Sequence, residues 1–272
     1  MKVSLGLAAA CIGLLFIISG CSAPSNRLAL PDGAHEVDGA ERMVETLKGV
    51  NAGLQTYKGI GKLALDTPTG PQKTRIAWVG AAPGKLRVEV LAQPGGQPFV
   101  SIASDGQWFY VIAHQEDRFI KKKATRSSLK QLIAIPVGPQ DVFTLLTGRV
   151  PILPYATARL YAYPPTDDSA TTEADTAPRL ILTLTPENGR YLSQKIHLVG
   201  ERVHQIEYFD RSGNLLYRTI VKHVQAVNGY LIPKELFFSD DNQASARIEV
   251  ERCWTNVAVA PAVFQLKPPE PD

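Results

Sequence analysis

The sequence predicts a mainly antiparallel β protein with a few helices, in which a short helical insertion packs into the concave side of one curved sheet. Three observations point there. From about residue 57 onward, apolar and polar residues alternate in short runs separated by turn signals, without intervening helices, so neighbouring strands are antiparallel. One stretch, residues 129–154, breaks that alternation with helical spacing. An amphipathic helix precedes the first long strand.

The interrupting stretch reads LKQLIAIPVGPQDVFTLLTGRVPILP. Leu129, Leu132 and Ile133 recur at helical spacing until Pro136 stops them. Pro139 then suits the first turn of a second helix, and Gly148 closes it. Val142, Phe143, Leu145 and Leu146 leave that helix little polar surface beyond Asp141 and Thr144. A helix so apolar has to be covered.

The amino end has the form of a targeting segment. Lys2 precedes a nearly unbroken apolar run to Ile18, followed by Ile18-Ser19-Gly20-Cys21. A small pair before a cysteine is the pattern of a bacterial lipoprotein signal, cleaved so that a lipidated Cys21 becomes the new N-terminus. Each buried methylene of such an anchor contributes roughly 0.8 kcal/mol to membrane attachment. A plain signal peptide with an incidental cysteine is the other reading. Residues 21–38 are small, polar or turn-forming and are expected to be a flexible tether. Residues 39–272 are then expected to form a single domain.

Asp38 or Gly39 caps the leading helix, whose Met43, Leu47, Val50 and Leu54 share one stripe. Strands are predicted at 57–65, 74–79, 85–91, 99–103, 107–113 and 118–124. In the third, Leu86, Val88 and Val90 alternate with Arg87 and Glu89. Beyond residue 154 the pattern resumes at 155–163, 179–184, 191–198, 203–209, 215–227, 230–238 and 244–254. Asn228-Gly229 marks a tight hairpin. The acidic, proline-bounded run 164–178 is expected to be a surface loop.

Lysine and arginine number 29 against 26 acidic residues, a net charge of +3. That is too mild, and too evenly spread, for a nucleic-acid partner. With Cys21 acylated, Cys253 is alone and reads as a structural thiol. The histidines are scattered without metal-binding spacing, no GxSxG elbow occurs, and no cofactor is implied. Gly59-Ile60-Gly61-Lys62-Leu63-Ala64 fits a GxGxxA string, but it leads from a helix into a strand, the reverse of a dinucleotide site. Lys121-Lys122-Lys123 reads as a solvated strand end, or as a contact for anionic headgroups or an acidic partner.

The lipobox at Cys21, the opening MVETLKGVNAGLQTYKGIGKLAL, the mid-chain IPVGPQDVFTLLTGRVP and the closing VFQLKPP resemble the LolA and LolB lipoprotein-localisation proteins and related Lol-like lipoproteins. The resemblance implies an unclosed, half β-barrel with a helical lid, whose interior takes up acyl chains of lipoproteins or another lipid. A palmitate-type anchor at Cys21, with Ser22 in place of an aspartate retention signal, fits a LolB-like outer-membrane receptor facing the periplasm and served by a periplasmic carrier protein. The turn at residues 93–98 departs from LolB-type proteins in carrying no bulky apolar residue. Trp78, Leu86, Val88, Val90, Phe99, Trp108, Tyr110, Leu145 and Leu146 are the candidate cavity lining. Periodicity does not separate an open cavity from a dry, filled core. A non-enzymatic lipid-binding role is expected, and a protein-binding role in envelope assembly or sensing is the alternative.

Overall fold

A computed structural model describes residues 29–68, 70–92, 94–164, 178–187 and 192–269. The expected signal, Cys21 and the acidic loop after Pro164 lie outside them. The described elements follow in the order β1 (His35–Val37), α1 (Ala40–Gly49), β2 (Thr56–Thr67), β3 (Gly70–Ala81), β4 (Lys85–Leu91), β5 (Pro98–Ser104), β6 (Trp108–Ala113) and β7 (Arg118–Lys123). Then come α2 (Lys130–Ile133), α3 (Pro139–Leu146), β8 (Thr157–Tyr163), β9 (Arg179–Thr185), β10 (Ser193–Val199), β11 (Arg202–Phe209), β12 (Leu215–Val227), β13 (Tyr230–Ser239) and β14 (Ser245–Thr255). A 3-10 turn at Pro261–Phe264 follows.

Among the described residues, all strands join one 14-stranded sheet in the order β1-β8-β9-β10-β11-β12-β13-β14-β2-β3-β4-β5-β6-β7. Every pairing is antiparallel. The chain builds β2–β7, inserts α2 and α3, then builds β8–β14 and returns to pair β14 with β2. No pairing joins β7 to β1, so the sheet is an open half-barrel. This places the helical insertion between the two halves of the sheet in sequence and against their shared inner face.

The main core lies between that inner face and the helices. Val44 and Leu47 of α1, Val142, Phe143, Leu145 and Leu146 of α3, and alternate residues of the strands belong to it. Strand alternation delivers one apolar side chain every second residue, and the helices cover the row so formed. The inner surface of β10 and β11, for example, presents Ile196, Leu198, Ile206 and Tyr208, all fully buried.

Two local results differ from the sequence reading. His35–Val37, placed there in the tether, pairs with Leu160–Ala162 as an edge strand. Lys195 Nζ also donates to the Ala29 carbonyl at 2.6 Å, so the chain is held to the outer face before β1 begins. Leucine and valine periodicity carries no signal for a short edge strand of polar residues. The helix after β7 is a single turn, Lys130–Ile133, ended by Ala134 in the left-handed region at φ 63.

Candidate functional site: the apolar interior beneath the helical plug

Helix α3 is the plug. Pro139 occupies its first turn behind an extended Gly138, which starts the helix with φ already set. Val142 and Leu146 face the sheet and border a cavity of about 70 Å³. Its wall is almost wholly carbon: Ile76 and Trp78 on β3, Leu86, Val88 and Val90 on β4, and Phe238 and Ile248 opposite. Such a surface offers dispersion and desolvation but no directional polar contact.

Glycines determine how closely this layer packs. A side chain at position 80 would overlap the Phe143 ring, and one at position 59 would overlap the indole of Trp78. Gly59 and Gly61 sit side by side along β2, where Gly61 also approaches the Glu249 carbonyl. The GxGxxA string is therefore a seat for Trp78 in mid-strand. Trp78 meets Tyr57 at 6.1 Å between ring centroids, and both are buried.

A second apolar space of about 190 Å³ opens at the other side of α3. It runs between α1, the turn after α3, and strands β11–β13, bordered by Leu47, Val50, Leu145, Val203, Val221 and Leu231. Asn51 fastens its floor. Its side-chain amide donates to Thr147 O at 2.8 Å and Leu231 O at 2.7 Å, and its Oδ1 accepts from Leu231 N at 3.2 Å.

The nine residues expected to line a cavity thus divide. Trp78, Leu86, Val88, Val90 and Leu146 border the space beneath α3, and Leu145 borders the second one. Trp108 and Tyr110 do not join them. They pack on the opposite face of β6 with Ala103, Ile112, Phe119 and Leu266, while Phe109 and Val111 point into the main core. Phe99 is half-buried and shares the face of Ser101, one residue out of step with the inward Val100 and Ile102. The physical reason is that residues 108–113 (WFYVIA) are apolar throughout, because the carboxy-terminal segment around Leu266 covers the outer face as well. A strand buried on both sides has no alternation to read. The second space was missed because its wall combines the end of α1, the turn after α3 and residues of β11–β13, which are far apart in the chain.

Polar groups near the plug are few. Asp141 on α3 is buried, with Oδ1 3.4 Å from the Arg126 guanidinium and Oδ2 without a hydrogen-bond partner. Burial pushes its carboxyl above the ordinary carboxylate range, and Arg126 draws it partly back. Tyr208 and Tyr217 stack at 4.4 Å, and burial raises both phenols, so they stay neutral. On the convex face, Ser101 Oγ lies 2.8 Å from His114 Nε2 and also bonds Glu89. The carboxylate touches the serine, not the far ring nitrogen, so it does not orient the imidazole as an acyl-transfer triad requires. Among the described residues no group of three or more His, Cys, Asp or Glu is placed to hold a metal ion.

An open antiparallel half-barrel closed over by inserted helices is a LolA-like fold, and comparison with solved structures shows that likeness. A LolA superfamily protein from Nitrosomonas europaea superposes with a TM-score of 0.54 at 14% identity, covering 85% of this chain and 99% of that one. An outer membrane lipoprotein-sorting protein domain from Vibrio parahaemolyticus gives 0.56 at 10% identity, covering 83% and 97%. A DUF1329 family protein from Desulfovibrio piger gives 0.55 at 11% identity, covering 83% and 94%. No family model matches the sequence, and a search of curated proteins finds no match.

Proposed function

We propose that the protein is a periplasm-facing lipoprotein, held to the outer membrane by acyl chains on Cys21, that shelters alkyl chains of lipoproteins or another lipid beneath α3. The observation that carries this is the nearly all-carbon wall under a helix that is itself apolar. Polar attachments of α3 to the rest of the chain are sparse, chiefly Asp141 with Arg126 and the Asn51 bonds to its exit turn. The cavity of about 70 Å³ is well below the roughly 300–1,000 Å³ of a pocket that holds a drug-sized ligand. An alkyl chain therefore enters by displacing α3, exchanging helix–sheet contacts for chain–sheet contacts of the same kind. Such an exchange is close to neutral in free energy because both surfaces are apolar.

The full chain, extracted from its own membranes and studied by native mass spectrometry, is expected to carry a bound lipid. It is also expected to exchange that lipid for a fluorescent fatty acid. Protein free of lipid that binds no fatty acid would reject the reading. A LolB-like receptor role adds that photo-crosslinking in intact cells captures lipoproteins in transit, together with a periplasmic carrier.

A protein-binding role in envelope assembly or sensing is the second reading. It is favoured by the open edge at β7 and by Trp254, Val224 and Leu231, large apolar side chains that stay exposed. Capture of one stable protein partner and no lipoproteins would select it.

A further inference from the structure

An arginine borders the second apolar space, and no carboxylate among the described residues pairs with it. Thr147 ends α3, and Gly148 turns in the left-handed region at φ 72, tight against the Leu231 carbonyl. Arg149 leaves this turn between the groove and a wider, more open space bordered by Lys48, Gln140, Thr144 and Tyr155. Its Nε donates to Thr147 Oγ1 at 3.0 Å, and its Cζ lies 5.6 Å from the centre of the Phe143 ring. No carboxylate among the described residues pairs with it, and burial alone lowers its hold on the proton. The remaining guanidinium N–H donors have no acceptor among the described residues. A half-buried charge without a counter-ion is costly, and a planar guanidinium receives carboxylate or phosphate through two parallel hydrogen bonds. Around it the groove is lined by Leu47, Val50, Val203, Val221 and Leu231. Arg202 and Glu201 stand exposed at the rim with opposite charges, so Arg149 sets the sign within.

We infer that this groove binds a single-chain amphiphile with an anionic head group, the head on Arg149 and the tail along α1. The inference rests on the lipid-handling reading above and adds the ligand class and a site distinct from the cavity under α3. A volume of about 190 Å³, also below the roughly 300–1,000 Å³ of a drug-sized pocket, leaves room for part of one tail and not for two. Carboxylate and phosphate heads share the chemistry that Arg149 recognises, and the experiment separates them.

The full chain in nanodiscs of zwitterionic lipid is mixed with three C16 probes bearing a diazirine in the tail: a carboxylate, a phosphate monoester and an uncharged alcohol. After photolysis the labelled peptides are mapped by mass spectrometry. Expected is labelling of peptides containing Val50, Val221 or Leu231, with the preferred anion exceeding the alcohol about tenfold or more, as a charge-assisted hydrogen bond implies. Whichever anion labels more strongly identifies the head group. Arg149→Gln is expected to bring the anion down to the level of the alcohol, and Arg149→Lys to keep most of the preference. If Arg149→Gln does not fold, the anion-to-alcohol ratio in the unchanged protein still decides. Equal labelling by all three probes, confined to peptides containing Ile133 or Ile248 beneath α3, overturns the inference while leaving lipid handling intact. Labelling by none overturns both.

Discussion

The ring of Phe143 occupies the space that a side chain at position 80 would fill. Helix α3 and strand β3 are therefore closer than any residue except glycine at that position allows. Gly80→Ala forces the ring or the helix outward, an overpacking that costs about 1–3 kcal/mol. Urea unfolding is expected to show a lower midpoint, and amide exchange in 139–147 is expected to accelerate. An unchanged midpoint would mean that α3 does not seat on β3 in this way.

Asn51 ties the end of α1 to the exit of α3 and to β13 through three hydrogen bonds. Asn51→Ala removes them together and leaves the Thr147 and Leu231 carbonyls to find water or go unpaired. Loss of about 1–3 kcal/mol of stability is expected, the range for unsatisfied partly buried polar groups. The floor of the groove around Arg149 loosens with it. Denaturant titration reads the first effect, and exchange protection at Gly148 and Arg149 reads the second.

Val88 lies on the wall beneath α3 and is only half-buried, which gives room for a larger side chain. Val88→Phe is expected to fill the space that an alkyl chain would take without lowering the thermal midpoint. Fluorescent fatty acid titration should then show weaker uptake by about tenfold, a loss on the scale of one to two buried methylenes. Unaltered uptake would place the bound chain elsewhere.

The pH dependence of stability carries a signature of Asp141. Its carboxyl titrates above the ordinary range because burial penalises the charge more than Arg126 relieves it. The native state then holds this proton more firmly than the unfolded chain. The contribution of this group to stability is greatest below about pH 4, the unfolded value, and declines as pH rises through the higher native value. Asp141→Asn removes that decline. The stability of the variant relative to the parent is expected to rise between pH 4 and 7 in chemical denaturation, and a falling difference would contradict the assignment.

How much of the interior was legible depended on what each strand has on its two sides. Leu86, Val88 and Val90 were readable because Arg87 and Glu89 hold the other face of β4, forming an ion pair with Nε and Oε1 2.5 Å apart. Trp108 and Tyr110 were misread because β6 is apolar on both faces and the partner for its outer face, Leu266, lies far along the chain. In α3, Leu145 and Leu146 were both recognised as covered, yet consecutive residues on a helix point about 100° apart. They consequently border different spaces.

The sequence by itself determined the antiparallel class, the helical interruption and its place between two runs of strands, and the apolar character of α3. These follow from local periodicity, since each signal is complete within about ten consecutive residues. Tertiary structure alone decided that β14 pairs with β2, that β7 and β1 leave the sheet open, and that Arg149 borders an apolar groove with no carboxylate among the described residues paired to it. Those facts depend on which distant segments meet. Spacing in the chain does not specify such meetings, because burial and charge pairing are satisfied by whatever surface arrives opposite.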